Sequence, residues 1–138
     1  MPGDRVAELS VITEAKKLCA YVMTVTEKSP KRFRFTFTSR LQNLSLDLVE
    51  ALFRANDTFV GPSAGPEAQR RRLDWQHRAS TDAKLLAYLA MLAAESGCLL
   101  MKQHEQIAEL VYICQTRLTA WIRSDEKRLP PSTRARPA

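Results

Sequence analysis

From Phe37 onward apolar residues recur at steps of three and four: Phe37, Leu41, Leu44, Leu48, Leu52, Ala55 and Phe59. That spacing is one face of a helix. Leu46, Val49 and Phe53 add a flanking stripe, while Arg40, Asn43, Asp47, Glu50 and Arg54 fill the polar side. Glu50 precedes Arg54 by four residues, the favourable order for an ion pair along a helix. Two Pro and two Gly within Gly61–Pro66 end the pattern as a loop.

The same period appears in three other stretches. Ile12, Ala15, Cys19, Val22 and Thr26 form a stripe broadened by Val11, Leu18 and Val25, with Ser10 placed as the N-cap. Glu67 to Glu95 holds neither Pro nor Gly. Trp75, Ala79, Leu86, Ala90 and Ala93 mark its apolar face, with Leu85, Leu89 and Leu92 beside it, and Gly97 sits where a C-cap glycine belongs. The last helix carries Leu100, His104, Ile107, Val111, Cys114, Leu118 and Trp121 and is expected to fray near Ser124. Between the first two helices, Ser29-Pro30 suits a helix start, with Ser as cap and Pro at the first position. Phe33-Arg34-Phe35-Thr36-Phe37 alternates like a strand but is too short and isolated to build a sheet, so it reads as the connection into the second helix.

Four long helices with short connections predict an all-α fold, an antiparallel up-down-up-down four-helix bundle over residues 1–128. Residues 129–138, basic and Pro-containing, are expected to be a disordered tail. In this topology the first and third turns share one end of the bundle. The N-terminus, the second loop and the C-terminus share the other.

Composition narrows the class further. The chain has 138 residues, enough for one core, and only 4 Gly, too few for an all-β fold with frequent tight turns. No apolar run approaches the ~18 residues of a membrane span, and no apolar signal segment opens the chain. Three cysteines in apolar stretches, Cys19, Cys98 and Cys114, read as reduced thiols in a cytoplasmic protein.

Catalytic and cofactor chemistry finds no foothold. No Glu has a His three residues on, as di-iron bundles require, and no Cys/His spacing suits zinc or haem. Phosphate loops, nucleophile elbows and zinc-hydrolase motifs are missing. His104, on a core stripe, reads as a hydrogen-bonded interior or boundary histidine, His77 as exposed, and Trp75 and Trp121 as core. Cys98, near Lys102, is the most plausible reactive thiol, though inert thiols are favoured throughout. The expectation is a protein without enzymatic activity, metal or cofactor.

Charge is the remaining lead. The formal net charge is +6, from 21 Lys+Arg and 15 Asp+Glu. Lys28, Lys31, Arg32, Arg34 and Arg40 form a stretch without an acid, as do Lys127, Arg128, Arg134 and Arg136 at the C-terminal end. The rest of the chain holds 12 bases against 15 acids. Arg70, Arg71, Arg72 and Arg78 make a third cluster, offset partly by Glu67 and Asp74. Such runs are commonly solvated faces. The Lys28–Arg40 run stands apart because Phe33, Phe35 and Phe37 are interleaved with the bases, the pattern of surfaces that hold phosphates and stack bases. Phe37 fits core packing; for Phe33 and Phe35 stacking and packing stay open. The candidate nucleic-acid or protein-binding residues are therefore Lys28, Lys31, Arg32, Arg34, Arg40, Arg70, Arg71, Arg72, Arg78, Lys127 and Arg128.

The stretch from Ser29 through Lys31-Arg32-Phe33-Arg34-Phe35-Thr36 to Leu44, continuing through Glu50-Ala51-Leu52-Phe53-Arg54-Ala55-Asn56, resembles the intervening-sequence superfamily of small four-helix bundles. Within it, the likeness is to the accessory variability (Avd) proteins of bacterial diversity-generating retroelements. Leu85–Leu89 and Leu118–Asp125 share it, so that it covers roughly residues 8–128. The resemblance implies a basic homopentameric barrel without a catalytic centre. Its partners would be the element's reverse transcriptase and its template RNA, cDNA or RNA–DNA hybrid, in support of mutagenic retrohoming. Of its basic positions, Lys31, Arg32, Arg34 and Arg40 carry over. The alternative is a structural bundle oligomer whose basic ends contact acidic proteins. The stripes of the first three helices are wider than one bundle core needs, which allows an interface between subunits without fixing their number.

Overall fold

A computed structural model describes residues 2–128, with side-chain surroundings from residue 10 onward. Four helices run α1 Pro2–Thr26, α2 Ser39–Asp57, α3 Pro66–Glu95 and α4 Met101–Glu126, and no strand occurs among the described residues. Each helix packs on the next, and α4 closes against α1, so the four form an up-down-up-down square bundle. The expected stripes supply most of the core. Val11, Ala15, Leu18 and Val22 of α1 meet Leu41, Leu48 and Leu52 of α2, Ala79, Ala83, Leu86 and Ala90 of α3, and Ile107, Cys114, Leu118 and Trp121 of α4. The alanines of α3 let its backbone approach its neighbours closely, and the larger residues opposite fill the space.

Helix ends differ from the expected ones in instructive ways. Ser10 is not a cap: α1 begins eight residues earlier, and Arg117 of α4 donates a hydrogen bond to the Ser10 hydroxyl. Phe59 leaves the core stripe because α2 stops at Asp57, where Thr58 turns extended. Its ring is 65% exposed and lies directly over Gly61, where a Cβ would overlap it. The third helix ends as expected. Gly97 adopts φ +90°, and the Cys98 and Gly97 amides return to the carbonyls of Ala93 and Ala94, closing a Schellman turn. Helix α4 starts without a Ser or Thr cap. Instead Gln103 reaches back and its Oε1 accepts from the Leu100 amide at 2.9 Å.

Helix α4 ends at Glu126, two residues past the expected end near Ser124, and Asp125 in its last turn is held from α3. Arg72 Nε lies 2.8 Å from Asp125 Oδ2, Arg72 Nη2 lies 3.2 Å from Oδ1, and Gln76 Nε2 donates to Oδ2 at 2.7 Å. Trp75 packs against the core as expected, from its edge. Trp75 is half-buried at the α2–α3 seam, with the guanidinium groups of Arg54 and Arg78 at 5.2 and 5.4 Å from its ring centre.

Candidate nucleic-acid interface

The expected common end of the α1–α2 and α3–α4 turns is locked by side chains. Ser29 does not cap a following helix. It donates to the Cys98 carbonyl at 3.0 Å, tying the first turn to the third. Thr38 Oγ1 lies 3.8 Å from Cys98 Sγ, and Gln42 Nε2 donates to Thr26 Oγ1 at 2.9 Å. The connection between the helices is itself helical. Pro30 precedes a short 3-10 turn at Lys31–Phe33, followed by a π-turn at Arg34–Thr38 that runs straight into α2. The Ser39 amide and hydroxyl both return to the Arg34 carbonyl, the hydroxyl at 2.6 Å.

This turn sorts the phenylalanines differently from a strand, which would put all three on one face. Phe33 and Phe37 lie four residues apart, nearly one π-turn, so both rings face the core, with centroids 6.0 Å apart and planes tilted by 58°. Phe35, between them, points away from the bundle and is 86% exposed. Packing therefore accounts for Phe33 and Phe37, and leaves Phe35 on the surface among bases.

Lys28, Lys31, Arg32, Arg34 and Arg40 are all exposed around this turn. Among the described residues none of the five is paired with a carboxylate, and Arg32 lies over the Phe33 ring at 4.5 Å. A cleft of about 220 Å³ runs beside Lys28, Lys31 and Arg34, with Glu27 as its only acid. Glu95, the last residue of α3, stands at the same end of the bundle. Lys102, in the first turn of α4, adds a sixth base to this end that sequence order alone did not attach to the cluster.

The other basic groups are less available. Arg72 does not belong to the surface set: it is 5% exposed and pairs with Asp125, with its guanidinium 4.9 Å from the Trp121 ring centre. Its position in an Arg-Arg-Arg run hides this, because only the helical phase distinguishes the inward member. Arg128 is drawn to the same carboxylate, at 3.9 Å. Arg70, Arg71 and Lys127 are exposed at this opposite end, where Glu67 and Glu126 also lie. Arg78 stands twelve residues into α3, about 18 Å from the helix start, and lies along the side of the bundle on Trp75. The three clusters thus become one coherent basic end, one partly compensated end and one lateral arginine. Arg134 and Arg136, with the rest of the tail, lie outside the described residues.

The thiols and histidines offer little reactivity. Burial pushes the Cys114 thiol up to about 12, with Glu14 adding in the same direction, so it stays protonated. Cys98 is buried beneath Thr38, and Cys19 is half-buried, accepting a hydrogen bond from Ser45 at 3.4 Å. His77 is exposed. His104 is half-buried, but its Nδ1 has no hydrogen-bond partner among the described residues, contrary to the bonded state expected. Among the described residues no three His, Cys, Asp or Glu side chains converge, and no helix is long and apolar enough to cross a membrane.

No protein-family model matches the chain, and comparison with curated proteins gives no significant match.

Proposed function

We propose that this protein is a non-enzymatic accessory subunit of the Avd type, which binds a reverse transcriptase and its template RNA or cDNA. The observation that carries the reading is the α1–α2 end. Five exposed bases, without a carboxylate partner among the described residues, surround a turn that Ser29 ties to the Cys98 carbonyl and that Ser39 closes on the Arg34 carbonyl. A phosphate backbone matches such a surface by charge alone, without sequence readout. The resemblance in Ser29–Asn56 falls on the same residues. In this reading Lys28, Lys31, Arg32, Arg34 and Arg40 hold nucleic acid. Arg70, Arg71 and Lys127, set among acids at the far end, are better suited to a protein partner.

An oligomer belongs to the same reading. Leu46 and Phe53 of α2 are exposed, the latter only partly covered by Lys16 at 5.3 Å. These positions formed the surplus stripe of the second helix. A second copy of the chain, in the pentamer that the resemblance implies, covers them. This face also suits the alternative of a structural oligomer with acidic protein partners.

The test is binding of purified protein to a structured RNA and to an RNA–DNA hybrid at low salt, with capture of a retroelement reverse transcriptase in parallel. Binding to both polymerase and nucleic acid supports the reading. Failure to bind either one would falsify it. Loss of the protein partner on charge reversal at Arg32, Arg34 and Arg40, with nucleic-acid binding intact, would instead favour the structural oligomer.

A further inference from the structure

We propose that Phe35 is a stacking platform for an unpaired nucleobase, which makes the α1–α2 end selective for single-stranded over duplex nucleic acid. The inference rests on the reading of this end as a nucleic-acid interface and deepens it.

Three observations converge on Phe35. The ring is 86% exposed, whereas the phenylalanines two residues to either side are used by the core. It projects from a π-turn, a rare geometry that is concentrated at functional sites. That turn is fixed by the Ser39 hydroxyl on the Arg34 carbonyl and by the Thr36 hydroxyl on the Phe33 carbonyl, at 2.6 and 3.3 Å. The ring is therefore presented on a pre-organised support, which lowers the cost of ordering on binding. Its immediate neighbours Arg34 and Thr36 are exposed, and Lys31 and Arg34 line the adjacent cleft.

Charge decides the occupant. Cations flanking an aromatic ring are the arrangement that tracks a phosphate backbone while bases stack. A ring without polar atoms reads no hydrogen-bond pattern, so base identity matters little. In a duplex the bases already stack on one another and offer no free face. A strand with unpaired bases gains both the phosphate contacts and the stack, and a duplex gains only the former.

The experiment compares a fluorescent single-stranded oligo-U RNA with an RNA duplex of equal length, in wild type, Phe35→Ala and Phe35→Trp. Phe35→Ala should weaken single-strand binding roughly 5- to 150-fold, the range for loss of one base–aromatic stack. It should leave duplex affinity within about twofold, and Phe35→Trp should restore single-strand binding. A 2-aminopurine placed in the single strand should change fluorescence on binding wild type but not Phe35→Ala. Equal losses on both RNAs, or no loss on either, overturn the inference while the wider reading stands. So does a change in sedimentation of Phe35→Ala without RNA present, which would assign the ring to contact between copies. Wild type that binds neither RNA overturns both.

Discussion

Arg72 on α3 and Asp125 on α4 form a two-pronged ion pair inside the bundle, with the guanidinium lying over the Trp121 ring. The two side chains are only 6% and 14% exposed, so the pair is weakly screened. Removing one member strands a buried charge. Asp125→Ala should lower the unfolding free energy by about 3–5 kcal/mol, and an Arg72→Met/Asp125→Leu double substitution should recover part of that loss, with Gln76 Nε2 left without its acceptor. Urea denaturation of the three proteins measures this. Equal destabilisation by single and double variants would contradict it.

Gly97 gives a second, local test. Its φ of +90° strains any side chain, although a Cβ would meet nothing nearer than Arg32 Nη2 at 3.7 Å. Gly97→Ala should cost about 1–2 kcal/mol from backbone conformation alone. Gly65→Ala, at φ −79° with open space around it, should cost far less. Thermal unfolding of both variants separates strain from crowding.

A third prediction concerns the α2–α3 seam. Asp82 is partly buried and faces Asp47, and both effects raise its carboxyl above the usual 3.8, opposed by Arg78. A raised folded value means that the native state holds its proton at a pH where the unfolded chain has released it. Stability from this group therefore falls as pH rises from 3.8 through the folded value. Asp82→Asn should raise the melting temperature at pH 7, with the advantage closing as pH drops toward 3.8. A lower melting temperature for the variant at pH 7 would show that the carboxylate is stabilising.

Cys114 should resist alkylation in the native protein at pH 8, because burial holds the thiol near 12 and excludes reagent. Mass spectrometry after iodoacetamide treatment should find it modified only under unfolding conditions. Rapid native labelling would indicate local opening of α4.

Much of this structure was legible in the sequence. The heptad-like stripes fixed four helices, their order and most of the core, because burial of Leu48, Leu86 or Leu118 is a periodic signal. Gly97 was legible because a single residue type suits its conformation. The losses have physical causes. Arg72 and Gln76 replaced apolar core residues, and a paired polar side chain leaves no hydrophobic trace. Trp75 does pack against the core, but from its edge, where Arg54 and Arg78 lie over its ring. The Phe33–Phe37 alternation suggested a strand, which would put all three rings on one face, whereas the helical turn puts Phe35 opposite Phe33 and Phe37. Its placement settled which phenylalanines pack and which one is left exposed. The five bases of the Lys28–Arg40 run were legible as a cluster, but Lys102 joined them only through the fold.

The salt dependence of RNA binding tests the central claim most directly, comparing wild type with the Arg32→Gln/Arg34→Gln/Arg40→Gln variant and with Arg70→Gln/Arg71→Gln. Wild-type affinity for a single strand should fall steeply between 50 and 200 mM salt, by roughly 300-fold if about six phosphates are neutralised. The triple variant should reduce the slope of log affinity against log salt by about 2, as expected for three lost contacts to a single strand. The Arg70/Arg71 variant should keep the wild-type slope. An unchanged slope in the triple variant, with the reduction appearing at Arg70 and Arg71, would move the nucleic acid to the opposite end of the bundle and contradict the assignment.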